Sequence, residues 1–219
     1  FGYDYSANAI PEAPSTPGGA AAQRGLYVQA NKPAGSTGAT NGINVTAANG
    51  GIAINFAQVI RLSFDMWLNV PSQLTNTTEQ ALFGINTDGL GVNSRTGATQ
   101  TGADGVWYQV ANEGGYGNTS TTPNSRDVVN YINNTVPAGG RLDNGDPPFP
   151  ALFPNSPPSP LVGTPGNGLV KVVVKEVGGN VVMSMNGVDV FNVPNSGPTA
   201  GSLFVGYQDP FSGSVGATS

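Results

Sequence analysis

The stretch Val59-Ile60-Arg61-Leu62-Ser63-Phe64-Asp65-Met66-Trp67-Leu68-Asn69 decides the fold, because from Ile60 onward every second residue is apolar. Successive side chains leave a pleated strand on opposite faces, so alternation of this kind marks a strand with one face in a core. Ile60, Leu62, Phe64, Met66 and Leu68 are then expected to share the core face, with Arg61, Ser63, Asp65, Trp67 and Asn69 on the other. Trp67 is the odd member of an otherwise polar row.

Outward from this strand, runs rich in β-branched and aromatic residues recur at 24–30, 80–86, 105–112, 169–177, 180–186, 188–193 and 202–208, each bounded by Gly, Pro or Asn. Gly178-Gly179 and Asn186-Gly187 are hairpin connections, and they predict a three-stranded meander over 169–193. Nothing in the pattern makes a long helix. About eight to ten strands separated by turn residues predict an all-β, double-sheet antiparallel sandwich of the jelly-roll kind. Two stretches break the regularity: a possible extended N-terminal arm over 1–22 and a Pro/Gly/Asn-rich insertion over 114–168. The insertion is too long for a plain loop and is expected to carry function or cover a sheet face, with a short strand or helical turn at 126–132.

The chain has 219 residues, a length at which an all-β sandwich remains one domain and buries an adequate core, so a single domain over 1–219 is expected. Only 10% of residues are charged, while Gly, Pro, Asn, Ser and Thr abound, so the surface must be rich in amides and hydroxyls. There is no cysteine, and together with the low charge this favours an exported bacterial protein that relies on its sandwich core. The net charge of −5 and the scattering of the eight basic residues argue against nucleic acid as a partner. No apolar run reaches transmembrane length, and the start at Phe1 is what a mature, soluble, processed product would show.

Asp4-Tyr5-Ser6-Ala7, then Ile10-Pro11-Glu12-Ala13-Pro14, Arg24-Gly25-Leu26 and Phe64-Asp65-Met66-Trp67 resemble the opening of exported concanavalin A-like (laminin G-like) jelly-roll proteins of planctomycete-type bacteria, many of which carry PEP-CTERM sorting tails. Gly105-Val106-Trp107-Tyr108, the hairpin through 181–187 and Ser202-Leu203-Phe204-Val205-Gly206-Tyr207 follow in the order such domains show. The resemblance spans nearly the whole chain. It implies a concanavalin A-like jelly roll, extracellular or on the cell surface, in a superfamily that includes lectins, glucanases and adhesion modules. It also implies a further strand and sorting tail beyond 206–214; without that strand a sheet edge is expected to stand unpaired.

Catalysis has few groups to draw on, since the chain has neither His nor Cys. Glucanases of this superfamily set acids at alternate positions of one strand, and no such run occurs here. Asp65 stands alone on its strand, and Asp143 and Asp146 lie in a loop, so no catalytic residues are expected, with a glucanase-type glycoside hydrolase as the alternative. Asn86-Thr87-Asp88-Gly89 and Asp143-Asn144-Gly145-Asp146 offer hard oxygen ligands on turn-prone backbone, which makes Asp143, Asp146, Asn144 and Asp88 the calcium candidates and a calcium-dependent lectin a further alternative. Such sequences are more often ordinary turns in which the side chain caps its own backbone.

Carbohydrate recognition needs an aromatic surface for sugar C–H faces beside fixed polar partners for hydroxyls. Trp67, Trp107, Asp65, Asn69, Gln109 and Arg61 meet that description if their strands are neighbours in one sheet. The competing expectation is that the insertion over 114–168 lies on this face and buries both tryptophans. Sequons at Asn44, Asn76, Asn118 and Asn133 arise by chance in an Asn/Thr-rich chain. The leading expectation is a non-catalytic exported domain acting in matrix, envelope or filament assembly through glycan contact or self-association, with the arm over 1–22 as a donor for an unpaired edge.

Overall fold

The computed structural model describes residues 2–5, 7, 9–14, 24–30, 39–45, 61–69, 80–96, 99–101, 104–111, 127–154 and 162–209. Ile60, the sequons at Asn76 and Asn118, and much of the arm and insertion lie outside them. In chain order the elements are β1 (Gly2–Asp4), β2 (Arg24–Leu26), β3 (Ala39–Val45), β4 (Arg61–Trp67), β5 (Gln80–Thr87), β6 (Ser94–Thr96), β7 (Thr99–Thr101), β8 (Val106–Ala111), β9 (Val128–Ile132), β10 (Arg141–Leu142), α1 (Phe149–Leu152), β11 (Leu169–Val177), β12 (Asn180–Met185), β13 (Val188–Pro194) and β14 (Ser202–Asp209).

Two larger antiparallel sheets carry the fold, one of six strands in the order β10-β9-β8-β5-β14-β3 and one of four in the order β13-β12-β11-β4. The chain changes sheet between β3 and β4, again between β4 and β5, then after β10 and after β13. One apolar core joins the two sheets. Leu62 and Met66 of β4, with Leu68 just beyond it, meet Val170, Val172 and Val174 of β11 and Val181, Met183 and Met185 of β12 from one side. Phe83, Ile85, Val106, Tyr108 and Val110 enter from the other. Phe64, Phe83, Tyr108 and Phe191 form an aromatic row through this core, with ring centroids 5.3, 5.7 and 5.9 Å apart in sequence. Because Phe64 and Phe191 belong to the four-stranded sheet and the other two to the six-stranded one, the row couples both layers.

The alternation in 60–68 is realised as expected over its described part: Leu62, Met66 and Leu68 are buried, Phe64 packs against them, and Arg61, Ser63 and Asn69 are exposed. The meander is also present, β11 pairing with β12 and β12 with β13. Its turns use Gly178 and Gly179 at φ 58° and 79°, and Asn186 and Gly187 at 51° and 85°. Both central residues of each turn thus adopt the left-handed backbone that a two-residue hairpin requires, which asparagine tolerates and glycine favours.

The insertion contains the short strand expected within 126–132, as β9, but otherwise differs from expectation. Its described residues do not form a separate cover: β9 and β10 extend the six-stranded sheet at its edge, and α1 sends Phe149, with Phe153 behind it, into the shared core. Val128, Val129, Tyr131 and Ile132 are apolar on both faces because this strand has packing on both sides. The N-terminal arm differs too. β1 pairs with β2 of its own chain in a separate two-stranded ribbon, where Tyr3 stacks on Tyr27 at 4.7 Å, so the start of the arm is engaged. β14, which the missing-strand argument left beside an open edge, is paired on both sides, by β5 and β3.

Candidate functional site

The six residues expected to form one sugar platform divide between the two sheets. Arg61, Asp65 and Trp67 lie on β4, with Asn69 just past its end, in the four-stranded sheet; Trp107 and Gln109 lie on β8 in the six-stranded sheet. Their strands are not neighbours, so no single face holds all six.

Trp107 is wholly buried. It stacks on Tyr131 with centroids 4.0 Å apart and planes 13° from parallel, and its indole Nε1–H donates to the Asn133 carbonyl at 3.3 Å. Gln109, also wholly buried, accepts from the Tyr131 hydroxyl at 3.3 Å. Leu82, Val129 and Phe204 complete this second apolar cluster, on the side of the six-stranded sheet turned away from the shared core, with Val136 against it. Residues 129–136 of the insertion thus help to bury Trp107, chiefly from the neighbouring strand β9 and not, as the competing expectation had it, by lying over the face. The far end of the same face is closed by polar side chains: the Gln208 amide donates to Gln80 Oε1 at 2.6 Å and accepts the Arg95 backbone N–H at 2.8 Å. Trp107 and Gln109 therefore have no surface to offer a ligand.

The other face of β4 is different. Opposite Arg61 in the ladder stands Lys175, followed by Val182 and Asn192; opposite Ser63 stands Val173, followed by Ser184 and Asp189. Asp65 faces Lys171, and Trp67 faces Leu169. Arg61, Ser63, Lys171, Asp189 and Asn192 are exposed, and Asp65, Trp67, Leu169, Val173 and Lys175 are half-buried. Two contacts fix the rim of this surface: the Asn180 amide donates to Asn192 Oδ1 at 2.7 Å, and the Lys171 backbone N–H donates to Asn186 Oδ1 at 2.9 Å. The Trp67 Nε1–H is buried and meets no acceptor among the described residues. Hydroxyls, amides and charges of both signs are thus held in fixed register around one half-buried indole.

The calcium candidates also separate. Asp143, Asn144 and Asp146 share one turn, where the Asp143 N–H donates to Asp146 Oδ2 at 2.8 Å and the Asn144 N–H donates to Asp127 Oδ2 at 3.0 Å. The carboxylates of Asp146 and Asp127 thus accept backbone N–H groups of this turn. Asp143 is wholly buried beside the Leu142–Val128 end of the β9–β10 ladder, whereas Asp88 follows β5 at the opposite end of the six-stranded sheet, where Ile85 faces Val106. There the Asp88 N–H donates to Asp104 Oδ2, and Asp104 exchanges two hydrogen bonds with Asn93 at 2.8 and 3.1 Å. Burial, with the Asp88 carboxylate adding to it, raises the Asp104 carboxyl above its ordinary value despite its backbone hydrogen bonds. Among the described residues no three His, Cys, Asp or Glu side chains gather as a metal site.

Lys171, Lys175 and Asn192 are members of this outward face that the sequence argument did not include. Period 2 within Leu169–Val177 sets Lys171 and Lys175 on one side, so that signal was present; their placement against β4 depends on a pairing across roughly a hundred residues that no local pattern encodes. Comparisons with protein-family models, with curated proteins and with solved structures found no match.

Proposed function

We propose that this chain is an exported, non-catalytic domain of the extracellular matrix or cell envelope, a concanavalin A-like jelly roll that works by contact with glycan. One observation carries the proposal: the outward face of the four-stranded sheet presents Arg61, Ser63, Asp65, Lys171 and Asn192 in fixed register beside Trp67. Sugar rings need an apolar surface for their C–H faces and rigid polar groups for their hydroxyls, and this face supplies both. The repeated passage of the chain between sheets supports the jelly-roll assignment, and the low charge supports an exported setting.

Binding of the full chain to a glycan array tests it. Trp67→Ala is expected to weaken every positive glycan by about tenfold or more, equivalent to about 1.4 kcal/mol, while the variant stays folded. An array on which parent and Trp67→Ala give the same signals would overturn the assignment of this face.

A further inference from the structure

The exposed face of the four-stranded sheet holds a charge arrangement that folding alone does not favour. Arg61 and Lys175 are direct partners across the β4–β11 ladder, and like charges directly opposite one another destabilise a sheet. Among the described residues their other neighbours on this face are Ser63, Val173, Val177, Val182 and, one strand further, Asn192; none of these is acidic. Lys171 lies four residues from Lys175 on the same face, about 13 Å along the strand, with Asp65 opposite it. Among the described residues, three basic side chains therefore share this face with only two acidic ones, Asp65 and Asp189, although the net charge of the chain is −5.

Resting on the glycan proposal above, we propose that the face takes an acidic polysaccharide, with a carboxylate or sulfate seated between Arg61 and Lys175 and a second anionic group near Lys171. An anion between the two cations removes their repulsion, and the Arg guanidinium offers a planar fork suited to either oxyanion. The exposed Ser63 and Asn192 lie beside the charges to bond sugar hydroxyls, and Trp67 stands at the Lys171 end. Charge spacing decides against nucleic acid. Duplex DNA presents a charge about every 1.7 Å of its axis, which would force phosphates onto Asp65 and Asp189, whereas the sparser anions of a polysaccharide fit cations about 13 Å apart.

The test uses the full chain on immobilised alginate, heparin, neutral dextran and duplex DNA, with the double variant Arg61→Gln/Lys175→Gln, the charge-keeping exchange Arg61→Lys/Lys175→Arg, and Arg24→Gln as a basic-residue control on the separate N-terminal ribbon. Expected are retention on alginate or heparin above dextran and DNA, a loss of about tenfold or more in the double variant, and little change in the exchange or the control. Salt should weaken the parent's binding, as screening of exposed charges requires. The double variant should melt at or above the parent's temperature because a repulsive pair is gone; a variant that fails to fold would contradict that premise. Dextran bound as well as alginate, yet lost in Trp67→Ala, would overturn the acidic ligand and leave the glycan proposal standing. DNA bound as tightly as alginate would also overturn it, and no binding to any polysaccharide would remove both proposals.

Discussion

The two tryptophans give the clearest contrast in the molecule, since each alternates with polar residues on a strand and yet they lie on sheet faces of opposite character. Trp107, on β8, is closed in by Tyr131, Asn133 and the side chains of a second apolar cluster. Trp67, on β4, is half-buried at the end of an exposed polar face. The difference teaches that an aromatic among polar neighbours identifies a binding surface only when the next strands leave its face open. On β8 the polar neighbour Gln109 is itself buried and bonded, so polarity there marks an internal network and not a surface.

Substitution of each tryptophan breaks or keeps this contrast. Trp107→Ala is expected to cost about 3–5 kcal/mol, the range for emptying a large buried aromatic site, whereas Trp67→Ala should cost clearly less. Urea denaturation of both variants measures this, and equal losses would erase the distinction between the covered and open faces. A smaller effect sharpens it at Gly84, which lies between Phe204 and Trp107 in the ladder. A Cβ there would stand 2.6 Å from the Val106 carbonyl oxygen and 2.7 Å from the Trp107 Cβ. Gly84→Ala should therefore lose about 1–3 kcal/mol through overpacking, and a neutral result would mean that β5 and β8 are not so closely opposed.

The smallest effect concerns Asp104, at the entry to the covered strand β8. A carboxyl whose folded-state pKa is raised binds its proton more tightly in the native chain than in the unfolded one. Its contribution is then fully present below the ordinary value of 3.8 and is lost as pH rises through the raised folded value. Asp104→Asn removes that loss, so the variant should gain stability relative to the parent as urea midpoints are followed from about pH 3 to about pH 6. A difference that stays constant, or runs the other way, would show that the hydrogen bonds the carboxylate accepts from backbone N–H groups, that of Asp88 first, outweigh burial.

Much of the sandwich was legible because its strands carry strong alternation or unbroken β-branched runs: β4, β5, β8 and β11 to β14 all match, to within a residue at the end, stretches identified from sequence. β3 was not, since Ala39-Thr40-Asn41-Gly42-Ile43-Asn44-Val45 is poor in strand-forming residues and is held by pairing with β14. β9 was recognised only as a short strand or turn inside an insertion, because nothing local says that Val128–Ile132 pairs with β8. The same limit divided the expected site. Period 2 assigns each side chain a face of its own strand, but which strands stand side by side is fixed by contacts far apart in the chain. Trp67 and Trp107 were therefore joined by a pattern they share and separated by a topology they do not.

The position of β14 also constrains the order of events at birth. Leu203 pairs with Val45 and Gln208 with Gln80, so the place between β5 and the edge strand β3 is filled by a strand synthesised after both its neighbours. Until residues 202–209 leave the ribosome or the translocation channel, β3 and β5 lack the partner that stands between them, and their hydrogen-bonding groups face an empty slot. Contacts this distant in sequence form slowly, and open strand edges invite foreign strands. A nascent chain of this design gains from having those edges shielded before its final strand arrives.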